Sequence, residues 1–243
     1  MRALSSLPLD DDIIDRFLTF LPCFSALGAT LLASRHFYNV YKTHPNSVLR
    51  AVAYNVTGPA LPQAMRVLRY TLDPVKFSLS TLSVMPWAET DSISPITDKE
   101  ARKLTENAAV VAALEDLFSW RHVYFAIPFS RDINRSSVRH KDRTSQTSRL
   151  DPTESERFRC AVYRLMLISR ALPLHEDEVT EDGVDTEEIY KIRLERGQFL
   201  EEFPDYELLA VHSVAVFLTE LVEWAAVAGG SRSCLLFYLL PFS

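Results

Sequence analysis

"LPLDDDIIDRFLTFLP", residues 7–22, sets three consecutive aspartates against a run of large apolar side chains and closes on a second proline. At about 100° per residue, Ile13, Ile14, Phe17, Leu18 and Leu21 fall within one wide stripe of a helix. Asp12, Asp15, Arg16 and Thr19 take the opposite side. The spacing predicts a helix over residues 10–21. Asp10, Asp11 and Asp12 sit at its start, where negative charge meets the positive end of the helix dipole. Three adjacent carboxylates point in different directions, and neither a glycine nor a ligand spacing marks a calcium loop beside them. A helix-starting role is the simpler reading of these acids than metal or acid–base chemistry.

The same periodicity runs outward along the chain, and alternating strand patterns are rare. A second helix is expected over residues 24–33, and "SRHFYNVYKTHP" continues as a short third that stops before Pro45. In "NSVLRAVAYNVTGP" Asn46 is expected to cap the helix and Gly58-Pro59 to end it. "PQAMRVLRYTL" supplies a further short helix. Residues 71–97 carry Pro74, Pro86 and Pro95 and read as an irregular connection. "TDKEARKLTENAAVVAALEDLFSW" is a strong helix capped by Thr97 or Asp98. "DPTESERFRCAVYRLMLISRAL" is another, with Asp151 at the cap and Pro152 at the first position. A helix containing Tyr190, Leu194 and Phe199 follows. The last begins near Pro204 and reaches Val227, stopping at Gly229-Gly230. It is apolar nearly all round and is therefore expected at the centre of the body. No repeat of fixed period is visible. The fold class is all-α.

Composition narrows the function classes. The chain has 243 residues, 47% hydrophobic and 24% charged, with a formal net charge of -6. That is an ordinary globular composition with no global basic bias toward nucleic acid. Residues 130–150 are polar and loop-like. Within them Arg131, Arg135, Arg139, Lys141, Arg143 and Arg149 outnumber Asp132 and Asp142, but aromatics for base stacking are missing. Residues 175–186 form a second, acidic loop. Cys23, Cys160 and Cys234 are odd in number and far apart, giving no disulfide framework or zinc pattern. Charges interrupt the first apolar run, which argues against a secretory signal. They also interrupt the last helix, which argues against a membrane span. A soluble, intracellular chain is expected, in the cytoplasm, the nucleus or both.

Catalytic chemistry finds no sequence support. The histidines His36, His44, His122, His140, His175 and His212 form no metal-ligand spacing. Cys160 lies in an apolar helical stretch and reads as packing. No GxSxG, GxGxxG or phosphate-loop motif is present, and "AGGSRSC" lacks the strand and helix that would make it an anion site. No cofactor, metal or catalytic residue is assigned.

The opening segment has a further likeness. Leu7-Pro8, Ile13-Ile14, Phe17-Leu18 and Leu21, followed by Ala33, Ser34, Arg35 and Phe37 in "LLASRHFYNV", resemble the F-box. This is a short three-helix module in which a Leu-Pro, an aliphatic pair and further spaced apolar residues precede a second half of [VA]-[CS]-[KR]-x-[FW] type. Together with "FLEEFPDYELLAVHSVAVFLTELVEW", the wording looks most like F-box-like proteins abundant in mushroom-forming fungi. Two departures stand out. Leu7-Pro8 lies two residues further from Ile13-Ile14 than the common pattern has it, and the spacer between Leu21 and Phe37 is longer.

The resemblance implies an adaptor-binding module over residues 7–42, a helical body over 43–228 and an apolar tail over 229–243. It implies a substrate receptor that docks onto a Skp-family adaptor and brings a target protein to an SCF-type cullin–RING ubiquitin ligase. The adaptor-binding residues would be Leu7, Pro8, Ile13, Ile14, Phe17, Leu18, Leu21 and Phe37. A helix presenting such anchors is a helix-in-groove ligand, and each buried anchor contributes about 1.5–3 kcal/mol gross. Small-molecule substrate, nucleic acid and membrane have no place in this reading. The competing expectation is an all-α scaffold that keeps a degenerate F-box and binds no ligase. Exposure of Ile14, Leu18 and Leu21 separates the two, because burial against the chain's own helices removes them as anchors.

Overall fold

The computed structural model describes residues 10–72, 95–121, 150–171, 190, 194, 197–198, 200–201 and 203–228. Every regular element among them is helical: the protein is all-α. Leu7, Pro8, the expected loops (but for Leu150) and the C-terminal tail lie outside the described residues. The helix expected around Tyr190, Leu194 and Phe199 falls only partly within them: Tyr190 and Leu194 are helical and exposed.

The N-terminal helices are α1 (Asp11–Thr19), α2 (Phe24–Ala33), α3 (Arg35–Thr43) and α4 (Pro45–Thr57). Asp10 caps α1, and Asp11 and Asp12 occupy its first turn, as helix-starting acids should. The break between α2 and α3 is one residue, Ser34, whose extended backbone interrupts the helix while its hydroxyl accepts from the His36 N–H at 3.2 Å. Asn46 is not the cap expected for α4. Pro45, with φ already helical and no N–H to satisfy, takes the first position, so His44 is the cap and Asn46 lies inside the first turn. Gly58 ends α4 with φ 68° and ψ -154°, a conformation that a side chain would strain.

A 3-10 turn (Gly58–Ala60) leads into α5 (Leu61–Leu72), and α6 (Asp98–Arg121), α7 (Pro152–Ala171) and α8 (Asp205–Ala228) complete the described body. Two of these helices open on reciprocal capping boxes. At α6 the Thr97 N–H donates to Glu100 Oε2 at 2.7 Å while Thr97 Oγ1 faces the Glu100 N–H at 3.3 Å. At α7 the pair is Asp151 and Glu154, at 2.9 and 2.8 Å. Arg69 Nε reaches Glu100 Oε1 at 3.1 Å and joins the start of α6 to α5. Burial pushes the Glu100 carboxyl up. The Thr97 amide, the Arg69 and Thr97 side-chain bonds and the Arg69 charge outweigh it and hold the group below its ordinary range.

Two clusters of buried side chains divide the described helices. Ile14, Leu18, Leu21, Leu27, Val40, Val48 and Val52 form the first, so the N-terminal core runs past residue 42 into α4. The second gathers around α7, where Phe158, Ala161, Val162, Tyr163, Leu165, Leu167 and Ile168 are all buried. Phe118 of α6 packs against Phe158 in a tilted pair and Phe217 of α8 in an edge-to-face one, at centroid distances of 4.5 and 6.3 Å. Helix α7 therefore takes the central position expected of α8. The reason is geometric: α8 packs along α7 on one face and leaves Tyr206, Leu209, Val216 and Trp224 on the other exposed. All-round apolarity identified a long helix but not which neighbours cover it.

One buried polar group carries a prediction. The Tyr163 hydroxyl is enclosed and meets no hydrogen-bond partner, and burial pushes its pKa up to about 12. Tyr163→Phe removes a desolvated hydroxyl without removing a bond, so the variant is expected to match or exceed the wild type by up to about 1–2 kcal/mol. The pH dependence has a definite sign. An unfolded tyrosine ionises near pH 10 while the folded one keeps its proton to about pH 12. This residue's contribution therefore falls as the pH rises from about 10, and Tyr163→Phe abolishes that part of the alkaline slope. Urea midpoints across that range check both expectations.

Candidate docking surface on the N-terminal helices

The apolar stripe of α1 spans about 140° at helical spacing, more than one neighbouring layer covers. Its two edges meet different fates. Ile14, Leu18 and Leu21 turn inward and pack with Leu27 of α2, Val40 of α3 and Val48 and Val52 of α4. Ile13 and Phe17 lie on the other edge and stay 54% and 49% exposed. Phe20, one turn beyond, is 79% exposed. Phe37 of α3 is half-buried against the first cluster, with its ring 5.7 Å from that of Phe17.

The eight sequence-derived docking residues thus separate into three groups. Ile14, Leu18 and Leu21 belong to the chain's own core and are not available as anchors without opening it. Ile13, Phe17 and Phe37 stand together at the surface, and Leu7 and Pro8 are outside the described residues. Sequence reasoning passed over Phe20, although it follows Phe17 by three residues and extends the same edge. It also passed over Leu32 of α2, 90% exposed.

The acids and polar residues around this surface hold its shape. His36 Nε2 lies 3.4 Å from Asp11 Oδ1 across α3 and α1, an exposed pair of small energetic weight. Asn55 of α4 donates both hydrogens of its amide to the end of α1, to Thr19 O at 2.8 Å and Leu21 O at 2.9 Å. Thr19 O is one of the carbonyls that a helix terminus leaves unpaired, and Leu21 O lies just past the C-cap. These bonds tie α4 to the end of α1, and nothing in the spacing of Asn55 announces them.

Cys23, at the N-cap of α2, carries a thiol with a hydroxyl beside it. Its Sγ lies 3.0 Å from Ser25 Oγ. That hydroxyl first, and the Ala26 backbone amide second, hold the thiol below its ordinary pKa against a small opposing effect of burial. Ser25→Ala is expected to move the pH midpoint of Cys23 alkylation upward, followed by mass spectrometry of the iodoacetamide adduct. An unchanged midpoint would show that the serine does not stabilise the thiolate. No group of three or more His, Cys, Asp or Glu side chains with metal-binding geometry is found among the described residues.

Chemically, the surface offers aromatic and aliphatic contacts with acids at one margin. In comparisons with known proteins, no family model, no curated protein and no solved structure matches this chain.

Proposed function

We propose that the chain is a non-enzymatic, F-box-like substrate receptor. Its N-terminal helices hold a Skp-family adaptor, and the helical body presents a target protein to an SCF-type cullin–RING ubiquitin ligase. Ubiquitin chemistry then belongs to the partner proteins, and what this chain supplies is effective concentration. Such a receptor works inside the cell, in cytoplasm or nucleus. The observation that carries the reading is the cluster of Ile13, Phe17 and Phe37. Ile13 and Phe17 stand outside a core already closed by Ile14, Leu18 and Leu21, and Phe37 lies half-buried against that core beside Phe17, so anchors are presented without unfolding the module. The docking edge of α1 is accordingly Ile13, Phe17 and Phe20.

The test is capture of a recombinant Skp-family adaptor by the purified chain, wild type against Ile13→Asp/Phe17→Asp. The wild type is expected to retain the adaptor, and the double variant to lose it while keeping its helical circular dichroism. A folded wild type that recovers no adaptor would sink the ligase reading. It would favour the second one, an all-α scaffold with a degenerate F-box and no ligase role. The burial of Ile14, Leu18 and Leu21 is the specific observation behind that alternative, since it withdraws three of the expected anchors.

A further inference from the structure

Among the described residues nothing covers the outer face of helix α8. Tyr206 is 63%, Leu209 50%, Val216 39% and Trp224 65% exposed, on a helix whose opposite face packs along α7. Twenty-four residues give that face a length of about 36 Å. Its charge is one-sided. The helix carries Asp205, Glu207, Glu220 and Glu223 and contains no lysine or arginine. Glu207 is engaged with Arg164 at 3.0 Å, while Asp205 and Glu223 are exposed at the two ends of the face. His212, midway along, is exposed as well.

The C-terminal end concentrates these features. Carbonyls of the last turn bring the negative end of the helix dipole, and no basic residue occupies that turn. Glu223 and the open indole of Trp224 lie close to it. A cation set there meets the dipole together with either the Glu223 carboxylate or the Trp224 ring, which lie about 100° apart around the axis.

We propose that the outer face of α8 binds an amphipathic helical segment of a partner protein, apolar on one side and rich in Lys or Arg. Leu209 and Val216 receive its apolar side chains. Asp205 and Glu223 hold its basic ones, with Trp224 stacking on the cation nearest the helix C-terminus. Charge complementarity selects this occupant over the others. A second copy of α8 would add acids to acids. The stretch Asp205–Ala225 is long and apolar enough by composition to cross a membrane. Against an anionic lipid surface, however, it turns an acidic face where cations are wanted. The surface belongs to the body rather than to the Ile13–Phe17–Phe37 edge, so it stands whether or not an adaptor binds there.

The probe is a fluorescein-labelled Leu/Lys peptide of about 18 residues with leucines at helical spacing, against the same peptide with Glu for Lys. Fluorescence anisotropy with the full chain is expected to show micromolar binding of the Leu/Lys peptide only. Leu209→Asp/Val216→Asp should weaken it at least about tenfold, and Asp205→Lys/Glu223→Lys should weaken it and flatten its salt dependence. Trp224→Ala should lose several-fold. All these positions are exposed, so the variants are expected to keep the wild-type circular dichroism. The proposal is overturned if the wild type binds neither peptide or binds the Leu/Glu peptide equally. It is overturned too if the variants bind as the wild type does. It also fails if this face instead makes a dimer in sedimentation, or attaches the chain to phosphatidylcholine vesicles, in a manner that Leu209→Asp abolishes.

Discussion

Leu18→Asp is expected to unfold the N-terminal helices. Leu18 is 0% exposed and sits among Ile14, Leu27, Val40, Val48 and Val52. Truncating such a leucine to alanine already costs about 2–5 kcal/mol, because the lost transfer energy adds to a cavity. An aspartate there must either stay protonated or keep a charge without water, and either course adds several kcal/mol. The total exceeds about 4 kcal/mol, a large share of the roughly 5–15 kcal/mol that holds a typical domain. Hydrogen exchange is the direct measurement. Amides of α1 and α4 should lose protection in the variant, while those of α7, built on the second cluster, should keep most of theirs. Wild-type protection in α1 would mean that Leu18 is not a core residue.

Phe17→Asp, one residue away, is expected to behave differently. Its ring is half exposed and its neighbour is Phe37. The loss is on the order of 1 kcal/mol, the worth of an aromatic pair. Adjacent positions on one helix thus separate stability from recognition. A Leu18 variant that fails to capture an adaptor says nothing about docking, because the module carrying the surface is gone. The Phe17 variant keeps the module and removes the contact.

The helices themselves were legible because each rests on local chemistry. Phe24–Ala33 falls at the expected residues, and the acids of Asp11 and Asp12, the capping boxes at Thr97 and Asp151 and the left-handed Gly58 are local signals. Asn46 lies two residues past the actual cap, His44, because proline and asparagine both favour a helix start, and proline at the first turn prevails. What periodicity does not contain is the identity of the covering neighbour. It placed Ile13 and Ile14 on one stripe, yet one is at the surface and the other in the core. The same silence moved α8 from the expected centre to the flank of α7. Long-range polar contacts were equally hidden: Asn55 to the end of α1, and Glu115 to α7, join residues 34 and 44 positions apart.

Glu115→Ala is the second large effect, expected to cost about 3–5 kcal/mol. The Glu115 carboxylate on α6 is 3% exposed and accepts from Arg159 Nε at 2.5 Å and from Ser155 Oγ at 2.7 Å, both on α7. The pair lies between the two helices that supply Phe118 and Phe158 to the body core. Removing the carboxylate leaves the Arg159 guanidinium without this anion, and at 29% exposure it recovers only part of its hydration. The loss therefore falls toward the lower end of that range. The complementary variant separates the pair's net worth from the cost of breaking it. Glu115→Leu/Arg159→Leu takes both charges out of a largely apolar setting and is expected to regain most of the stability lost by Glu115→Ala. Ser155→Ala, which removes one neutral donor, should cost about 1 kcal/mol. Urea unfolding of Glu115→Leu, Arg159→Leu and their double variant, followed by circular dichroism and read as a double-mutant cycle, gives the coupling directly. Additive single and double variants would show that Glu115 and Arg159 stabilise the body independently. In that case the α6–α7 packing would rest on Phe118, Phe158 and their apolar neighbours alone.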